Sequence, residues 1–208
     1  ATVAAIASLV AAAEAELGAS CTVGIGTPGA LSLATGLVKN ANSTCLNGRP
    51  LKADLEHALG REARLANDAN CFALSEAVDG AGRGARVVFG VILGTGVGGG
   101  LDVDGRVLEG ANAIAGEWGQ IARRAEAGDV RCDATVSRYE GRLARALAFV
   151  INIVDPDVIV LGGGLSRIER LYERVPQAWA RCVFSDEGRT RLLPPVHGDS
   201  GGVRGAAW

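Results

Sequence analysis

Apolar strands and helical segments alternate along this 208-residue chain, on both sides of a short Gly/Ala stretch at residues 80–84. Beyond that stretch, Val87–Leu93 and Asp157–Leu161 have the composition of buried strands, and each runs directly into glycines. Buried strands that alternate with helices are typical of an α/β fold. Two such halves predict two lobes with a cleft between them, which is a natural place for a ligand.

The predicted boundaries divide the chain into three parts. We expect a small lobe over residues 1–84, a larger lobe over 85–200, and the start of a C-terminal helix over 201–208. Residues 94–100 are expected to form one tight turn, because glycines dominate them. The other expected elements are helices over 1–17, 51–59, 69–79, 135–153 and 166–183, a hairpin over 31–38, and strands over 22–26, 64–66, 87–93, 101–103, 157–161 and from 192.

Composition excludes several classes of protein. Apolar residues make up 48% of the chain, which excludes disorder, and the 30 glycines follow no collagen period. The net charge of −2 offers no basic surface for nucleic acid, and no apolar run is long enough to span a membrane. The cysteines form no CxxC pair and no signal peptide precedes them, so we expect a cytoplasmic protein with mostly buried thiols.

Two glycine-rich turns follow the buried strands. Backbone N–H groups of Gly94-Thr95-Gly96 could approach an anion closely, although a ligand-free hairpin explains the same residues equally well. Gly162-Gly163-Gly164 lies at the carboxyl end of a strand, where open α/β sheets bind ligands. A purine could lie against these glycines, but a tight turn capped by Ser166 is the simpler explanation.

Two carboxylates could act in the cleft. Asn67-Asp68 precedes a predicted helix, and such a pair is usually a helix cap. Asp68 could instead project into the cleft and accept a proton from an alcohol that attacks a phosphoryl group. Glu117, between glycines at 116 and 119, could accept hydrogen bonds from sugar hydroxyls, or it could be a loop acid beside a core Trp118.

Taken in order, these motifs resemble the ROK family of sugar kinases and repressors. The ordered set is Gly26-Thr27-Pro28-Gly29, Asn67-Asp68-Ala69-Asn70, Gly94-Thr95-Gly96-Val97-Gly98, Gly116-Glu117-Trp118-Gly119 and Gly162-Gly163-Gly164. Within the family, the run from Thr35 to Thr44 is similar to bacterial fructokinases of the manno(fructo)kinase type. The likeness covers nearly the whole chain, and the ordered set is far more specific than any single motif.

The resemblance implies a two-lobed, actin-like and hexokinase-like ATPase fold with the active site in the interlobe cleft. It implies that Asp68 is the general base on a hexose 6-hydroxyl and that ATP and Mg²⁺ take part. Sugar-binding residues would be Gly29, Asn67, Asp68 and Glu117. Nucleotide-binding residues would be Gly94, Thr95 and Gly96 at the phosphates, and Gly162 and Gly163 at the adenosine.

The chain departs from the family pattern in two places. The family opens with an Asp-x-Gly-Gly-Thr phosphate loop that helps to place magnesium, whereas this chain opens in a helix. The family also has a His and a Cys cluster for structural Zn²⁺ after Gly-Glu-x-Gly, whereas Gln120 follows Gly119 here. We therefore expect a break in the sequence between residues 119 and 120, and a zinc site only if the missing segment exists.

The sequence therefore predicts an ATP-dependent kinase that converts D-fructose to fructose 6-phosphate and also accepts mannose. The alternatives are an N-acetylhexosamine or glucose kinase of the same family, a sugar-sensing ROK repressor without catalysis, and a truncated remnant. The family resemblance also implies a homodimer, and the net charge and the short apolar runs lead us to expect no nucleic-acid or membrane partner.

Overall fold

The structure is a computed structural model that describes residues 2–94, 96–118 and 133–208. Its helices are α1 (Thr2–Leu17), α2 (Leu51–Leu59), α3 (Asp68–Val78), α4 (Asp133–Val154), α5 (Arg170–Trp179) and α6 (Gly201–Ala207). Its strands are β1 (Gly24–Thr27), β2 (Ala30–Leu31), β3 (Val38–Lys39), β4 (Arg64–Asn67), β5 (Val87–Leu93), β6 (Val97–Val103), β7 (Arg106–Val107), β8 (Val158–Gly162) and β9 (Arg191–Leu193). The predicted α/β class is confirmed, and most predicted elements lie within a few residues of their expected bounds.

The larger sheet has five strands in the order β7-β6-β5-β8-β9. Strand β5 pairs in parallel with β8 and antiparallel with β6. Phe89, Val91 and Leu93 of β5 join the core that includes α4 and α5, whereas Gly90 on the other face lies against Ala73 of α3. Both faces of β5 are therefore covered by helices, which explains why the strand is apolar throughout.

The amino-terminal part has a smaller core. Strands β1 and β4 pair in parallel, and β2 pairs with β3 as the predicted hairpin. The core here is formed by Val38, Ala41, Leu51 and Leu55. Helix α2 ends at Gly60, which adopts the left-handed conformation with φ of 68° that terminates many helices.

Helix α3 connects this part to the larger sheet and to the C-terminus. Helix α6 packs against α3 so closely that a Cβ on Gly205 would lie 1.6 Å from the Cys71 carbonyl oxygen. At the other end of α3, the Asp79 carboxylate lies 2.8 Å from His197 Nε2, within hydrogen-bond distance, and forms an ion pair with Arg204. The C-terminal segment is thereby fastened along the helix that begins at Asp68.

Several sequence predictions are wrong in detail. The glycine-rich turn ends at Gly96 and β6 begins at Val97, because Gly98–Gly100 form a strand that lies against Ala69 and Trp118. The helix predicted over 166–183 is instead a short 3-10 turn, Gly164–Arg167, followed by α5, with extended backbone at Ile168 between them. Cys21, Cys45 and Cys182 are exposed in connecting segments, and among the described cysteines Cys71 alone is buried.

Within the described ranges, we find no helix with the length and apolar character needed to cross a membrane. Gln120 and the predicted break after residue 119 lie outside the described residues, as does Thr95.

Candidate functional site

A cleft of about 260 Å³ lies where β1, β4, β5 and the amino terminus of α3 converge. Six of the residues that the sequence singled out line it, namely Gly29, Asn67, Asp68, Gly94, Gly96 and Glu117. They come from four separate segments of the chain, so the fold brings together residues that are up to 88 positions apart, from Gly29 to Glu117.

Asn67 both caps helix α3 and fixes the cleft wall. Its Oδ1 accepts hydrogen bonds from the backbone N–H groups of Ala69 at 2.9 Å and Asn70 at 3.2 Å. Its Nδ2 donates to the carbonyl oxygen of Gly29 at 2.8 Å. The capping interpretation of this motif is thus correct for Asn67, and one amide hydrogen remains to meet a ligand.

Asp68 is the first residue of α3, and its side chain remains open to the cleft. The Ala69 N–H donates to Asp68 Oδ1 at 2.9 Å. Burial by the surrounding protein raises the pKa of Asp68 above its ordinary value, and the Ala69 N–H opposes that shift. A carboxylate with a raised pKa holds a proton more readily, which suits a general base.

The thiol of Cys71 lies one turn further along α3, and burial together with the charge of Asp68 raises its pKa to about 11. It is therefore a protonated, unreactive core residue at neutral pH.

Gly29 adopts φ of 74°, and a Cβ there would lie 2.4 Å from the Lys39 carbonyl oxygen and 2.7 Å from the Ala41 nitrogen. Only glycine fits this turn without moving the backbone. The predicted backbone approach at this position is compatible with the geometry, because the residue lines the cleft without a side chain.

Glu117 reaches the cleft because its neighbour Trp118 is anchored. The Trp118 indole is 4% exposed, its Nε1–H donates to the Gly98 carbonyl oxygen at 3.0 Å, and its ring meets Phe89 edge to face. Gly116, with φ of 86°, lets this loop lie directly against β6. Glu117 itself is exposed and lines the cleft.

The turn between β5 and β6 is held by a hydrogen bond from Gly94 N–H to the Gly96 carbonyl oxygen at 3.0 Å. A Cβ on Gly94 would meet only the Gly96 carbonyl oxygen, at 4.0 Å, and Gly94 lines the cleft, so its backbone is accessible from there. The Gly94 N–H is therefore engaged within the turn, and in the described part of the turn the Gly96 N–H is the donor that could face an anion.

The second glycine run is not among the residues that line this cleft, although Gly162 pairs with Ile92, which does. A Cβ on Gly162 would lie 2.7 Å from the Phe72 ring, and one on Gly163 would lie 2.5 Å from the Leu93 carbonyl oxygen. Packing therefore explains both glycines without a ligand, whereas Gly164 faces open space.

Sequence reasoning missed two cleft residues, Asn40 and Asn42. Asn40 has φ of 58°, a left-handed conformation that Asn adopts more readily than most residues. The repeated Asn in Asn40-Ala41-Asn42 was the available signal for a special turn.

Clusters of metal-binding side chains are absent from the described ranges. Those ranges contain no group of three or more His, Cys, Asp or Glu side chains that could hold a metal ion. The donor set for the structural zinc is therefore not present in the part of the chain that the structure describes. A magnesium ion carried by a nucleotide needs only one or two carboxylates, and Asp68 and Glu117 are the carboxylates that line the cleft.

The sequence matches the model of the ROK family over residues 1–123 and 120–208. The chain is 35% identical to the N-acetyl-D-glucosamine kinase of Vibrio cholerae, with 98% of this chain and 85% of that protein covered. It is 35% identical to the kinase of the same name from Photobacterium profundum, with 94% and 82% covered. The alignment with the Vibrio protein runs over 256 positions, so that relative has stretches inside the matched range with no counterpart among these 208 residues.

The fold is also similar to solved structures. The ROK hexokinase from Thermus thermophilus superposes with a TM-score of 0.82 at 27% identity, covering 99% of this chain and 84% of that one. The expected two-lobed hexokinase-like architecture is confirmed by this similarity.

Proposed function

The chain belongs to the ROK family, and on that basis we propose that it is an ATP-dependent sugar kinase that phosphorylates a hexose on its 6-hydroxyl. The observation that carries the proposal is the cleft itself. It places an open carboxylate, Asp68, in the same cavity as an accessible glycine turn at Gly94 and Gly96. A base for an alcohol and a backbone anion site are the two parts that phosphoryl transfer requires.

In the proposed reaction, Asp68 accepts the proton of the 6-hydroxyl as that oxygen attacks the γ-phosphorus of ATP. A bond forms between O6 and phosphorus, and the bond from phosphorus to the bridging oxygen of the β-phosphate breaks. ADP leaves with that electron pair, and the proton stays on Asp68 until it passes to solvent. Catalysis of this kind rests mainly on positioning and on stabilising charge in a cleft that excludes water.

The proposed contacts of Gly29, Asn67, Glu117, Gly94 and Gly96 follow from the cleft lining. Those of Thr95, Gly162 and Gly163 rest on the resemblance to the ROK family. Asn67 and Glu117 would bind sugar hydroxyls, and the backbone at Gly29 would approach the ring. Gly94, Thr95 and Gly96 would hold the phosphates, while Gly162 and Gly163 would approach the adenosine through their backbone. Magnesium, when bound with the nucleotide, would neutralise part of the phosphate charge.

D-Fructose, with mannose as a further substrate, is the sugar we propose first. The support is that the fructokinase-like run from Thr35 to Thr44 contains Asn40, which lines the cleft. The preference of an enzyme for one sugar is set by the residues that contact the sugar, and overall sequence identity to a relative is a weaker guide to it.

N-acetyl-D-glucosamine is the second candidate. The Vibrio and Photobacterium relatives carry that sugar in their names, and they match nearly the whole chain at 35% identity. Neither of these two relatives supports fructose, so the choice of fructose rests on the similarity of the run from Thr35 to Thr44 to fructokinases.

The experiment is ADP release from ATP and Mg²⁺ with each of D-fructose, D-mannose, D-glucose and N-acetyl-D-glucosamine in turn. The proposed function predicts sugar-dependent ADP release, with the highest kcat/KM for fructose. A higher value for N-acetyl-D-glucosamine would select the second candidate. Sugar binding without ADP release from any of the four would favour a sugar sensor or an inactive remnant.

A further inference from the structure

The charge of the cleft lining is unusual for a site that handles phosphate. The lining contains the carboxylates of Asp68 and Glu117, and among the described lining residues there is no Lys or Arg. A phosphoryl group in transfer carries negative charge on its peripheral oxygens, which must be met by hydrogen-bond donors or a metal ion. Neutral side-chain hydrogen-bond donors that face the glycine turn at residues 94–96 are therefore the candidates to meet this charge.

Asn42 is such a donor. A Cβ placed on Gly96 would lie 3.1 Å from Asn42 Nδ2, so the amide lies directly against the glycine turn. Asn42 lines the cleft together with Asp68, and its side chain forms no hydrogen bond with the residues that the structure describes. The amide of Asn67, by comparison, is engaged with Gly29 and with the start of α3.

The segment that carries Asn42 is held firmly. Asn47 Oδ1 accepts from the Ala41 N–H at 2.8 Å, and Asn47 Nδ2 donates to the Ala41 carbonyl oxygen at 3.1 Å. Ala41 is itself buried and packs against the turn at Gly29. A donor on a fixed backbone loses little freedom when it meets a ligand, so its contribution to the transition state is larger.

We propose that Asn42 is a catalytic residue whose Nδ2 donates a hydrogen bond to the γ-phosphoryl group during its transfer from ATP to the sugar. This inference rests on the proposed kinase function and adds a side chain to the phosphate site. Asp68 and Asn42 would then act on opposite partners of the reaction, the carboxylate on the attacking hydroxyl and the amide on the phosphoryl oxygens.

The test compares Asn42→Ala and Asn42→Asp with a matched control, Ser43→Ala. Ser43 is the next residue, is exposed, and makes no side-chain capping hydrogen bond. For Asn42→Ala we expect kcat to fall about 10- to 100-fold, as for loss of a donor to a charged group, with the sugar KM changed less than threefold. Asn42→Asp should fall further, because it places negative charge beside the phosphoryl group.

A binding measurement gives a readout that does not depend on turnover. The affinities of AMPPNP, which carries a γ-phosphoryl group, and of ADP, which lacks one, are measured by calorimetry for each protein. Asn42→Ala should weaken AMPPNP at least fivefold and leave ADP unchanged, while Ser43→Ala changes neither. Thermal unfolding of each variant checks that the fold is intact.

Three results would overturn the assignment. One is an unchanged ratio of AMPPNP to ADP affinity in Asn42→Ala, and another is a rise in sugar KM with kcat preserved. The third is a wild-type protein that binds neither nucleotide, which would also end the kinase proposal. A wild-type protein that binds nucleotide but releases no ADP with any hexose would contradict the proposed function and, with it, the catalytic role of Asn42. The affinity ratio would still decide whether Asn42 contacts the γ-phosphoryl group.

Discussion

The Nδ2 of Asn67 donates a hydrogen bond to the carbonyl oxygen of Gly29 at 2.8 Å. This bond ties the start of α3, where Asp68 lies, to the turn that follows β1. The two walls of the cleft are thereby fixed to each other at the point where we propose that the sugar binds.

Asn67→Ala should lower the free energy of unfolding by about 1–2 kcal/mol, because it removes the cap of α3. Asn67→Asp retains a capping oxygen and loses only the donor to Gly29, so its stability should lie between those of the wild type and the Ala variant. Urea unfolding of the three proteins measures this order. An Asp variant as unstable as the Ala variant would show that the Gly29 bond dominates over the cap.

Trp118→Phe should impair sugar binding selectively. The change keeps an aromatic ring beside Phe89 and removes the N–H that holds the Glu117 loop to Gly98. We expect the sugar KM to rise about 3- to 10-fold, the equivalent of one hydrogen bond, with the ATP KM within twofold of the wild type. Trp208→Phe is the control, since that side chain is 63% exposed. Equal effects on both KM values would contradict the positioning role.

Asp68 should limit both activity and stability in a pH-dependent way. Its pKa is raised by burial, so the acid limb of the kcat profile should lie above the ordinary Asp value of about 3.9. The folded state binds this proton more tightly than the unfolded chain does, so deprotonation costs stability as the pH rises through the interval from the unfolded to the folded pKa.

Asp68→Asn removes that cost and should unfold at a higher temperature than the wild type at pH 7. The difference should vanish near pH 3, where the wild-type carboxyl is protonated in both states. Thermal unfolding at the two pH values measures it, and a variant less stable than the wild type at pH 7 would contradict the assigned desolvation.

Gly205→Ala should destabilise the protein by about 2–4 kcal/mol, because the added Cβ would meet the Cys71 carbonyl oxygen and force α6 away from α3. Gly188→Ala is the matched control, since a Cβ there meets nothing within 4 Å. Denaturant unfolding of both variants tests the packing. Equal stabilities would mean that α6 does not dock as described.

Much of the fold could be predicted from the sequence because many of its helices and strands have a clear hydrophobic pattern within the segment itself. The apolar run at Val87–Leu93 and the Leu spacing that ends at Gly60 both define their elements within the segment itself. The start of β6 could not be predicted, since Gly98–Gly100 have no side-chain periodicity. Their conformation depends on contacts with Ala69 and Trp118, which are distant in sequence.

The site was predictable only in part for the same reason. Asp68, Asn67 and Glu117 lie in recognisable motifs, and the fold places all three in one cleft. Asn42 has no motif of its own, and its proximity to Gly96 exists only in the folded chain. Gly162 is the opposite case. Its glycine-rich motif is typical of a ligand site, but close contact with the Phe72 ring is enough to explain why glycine stands there. The division at residue 84, the homodimer and the individual ligand contacts remain predictions.

The most direct test of the kinase assignment is single-turnover phosphoryl transfer by the wild type and by Asp68→Asn, with the product located by ³¹P and ¹³C NMR. We predict a hexose 6-phosphate and one ADP per turnover in the wild type. Asp68→Asn should bind sugar with an affinity within threefold of the wild type and lose about 10²- to 10⁴-fold in rate, as for loss of a general base. Transfer by Asp68→Asn at the wild-type rate, or phosphate on another hydroxyl, would contradict the account.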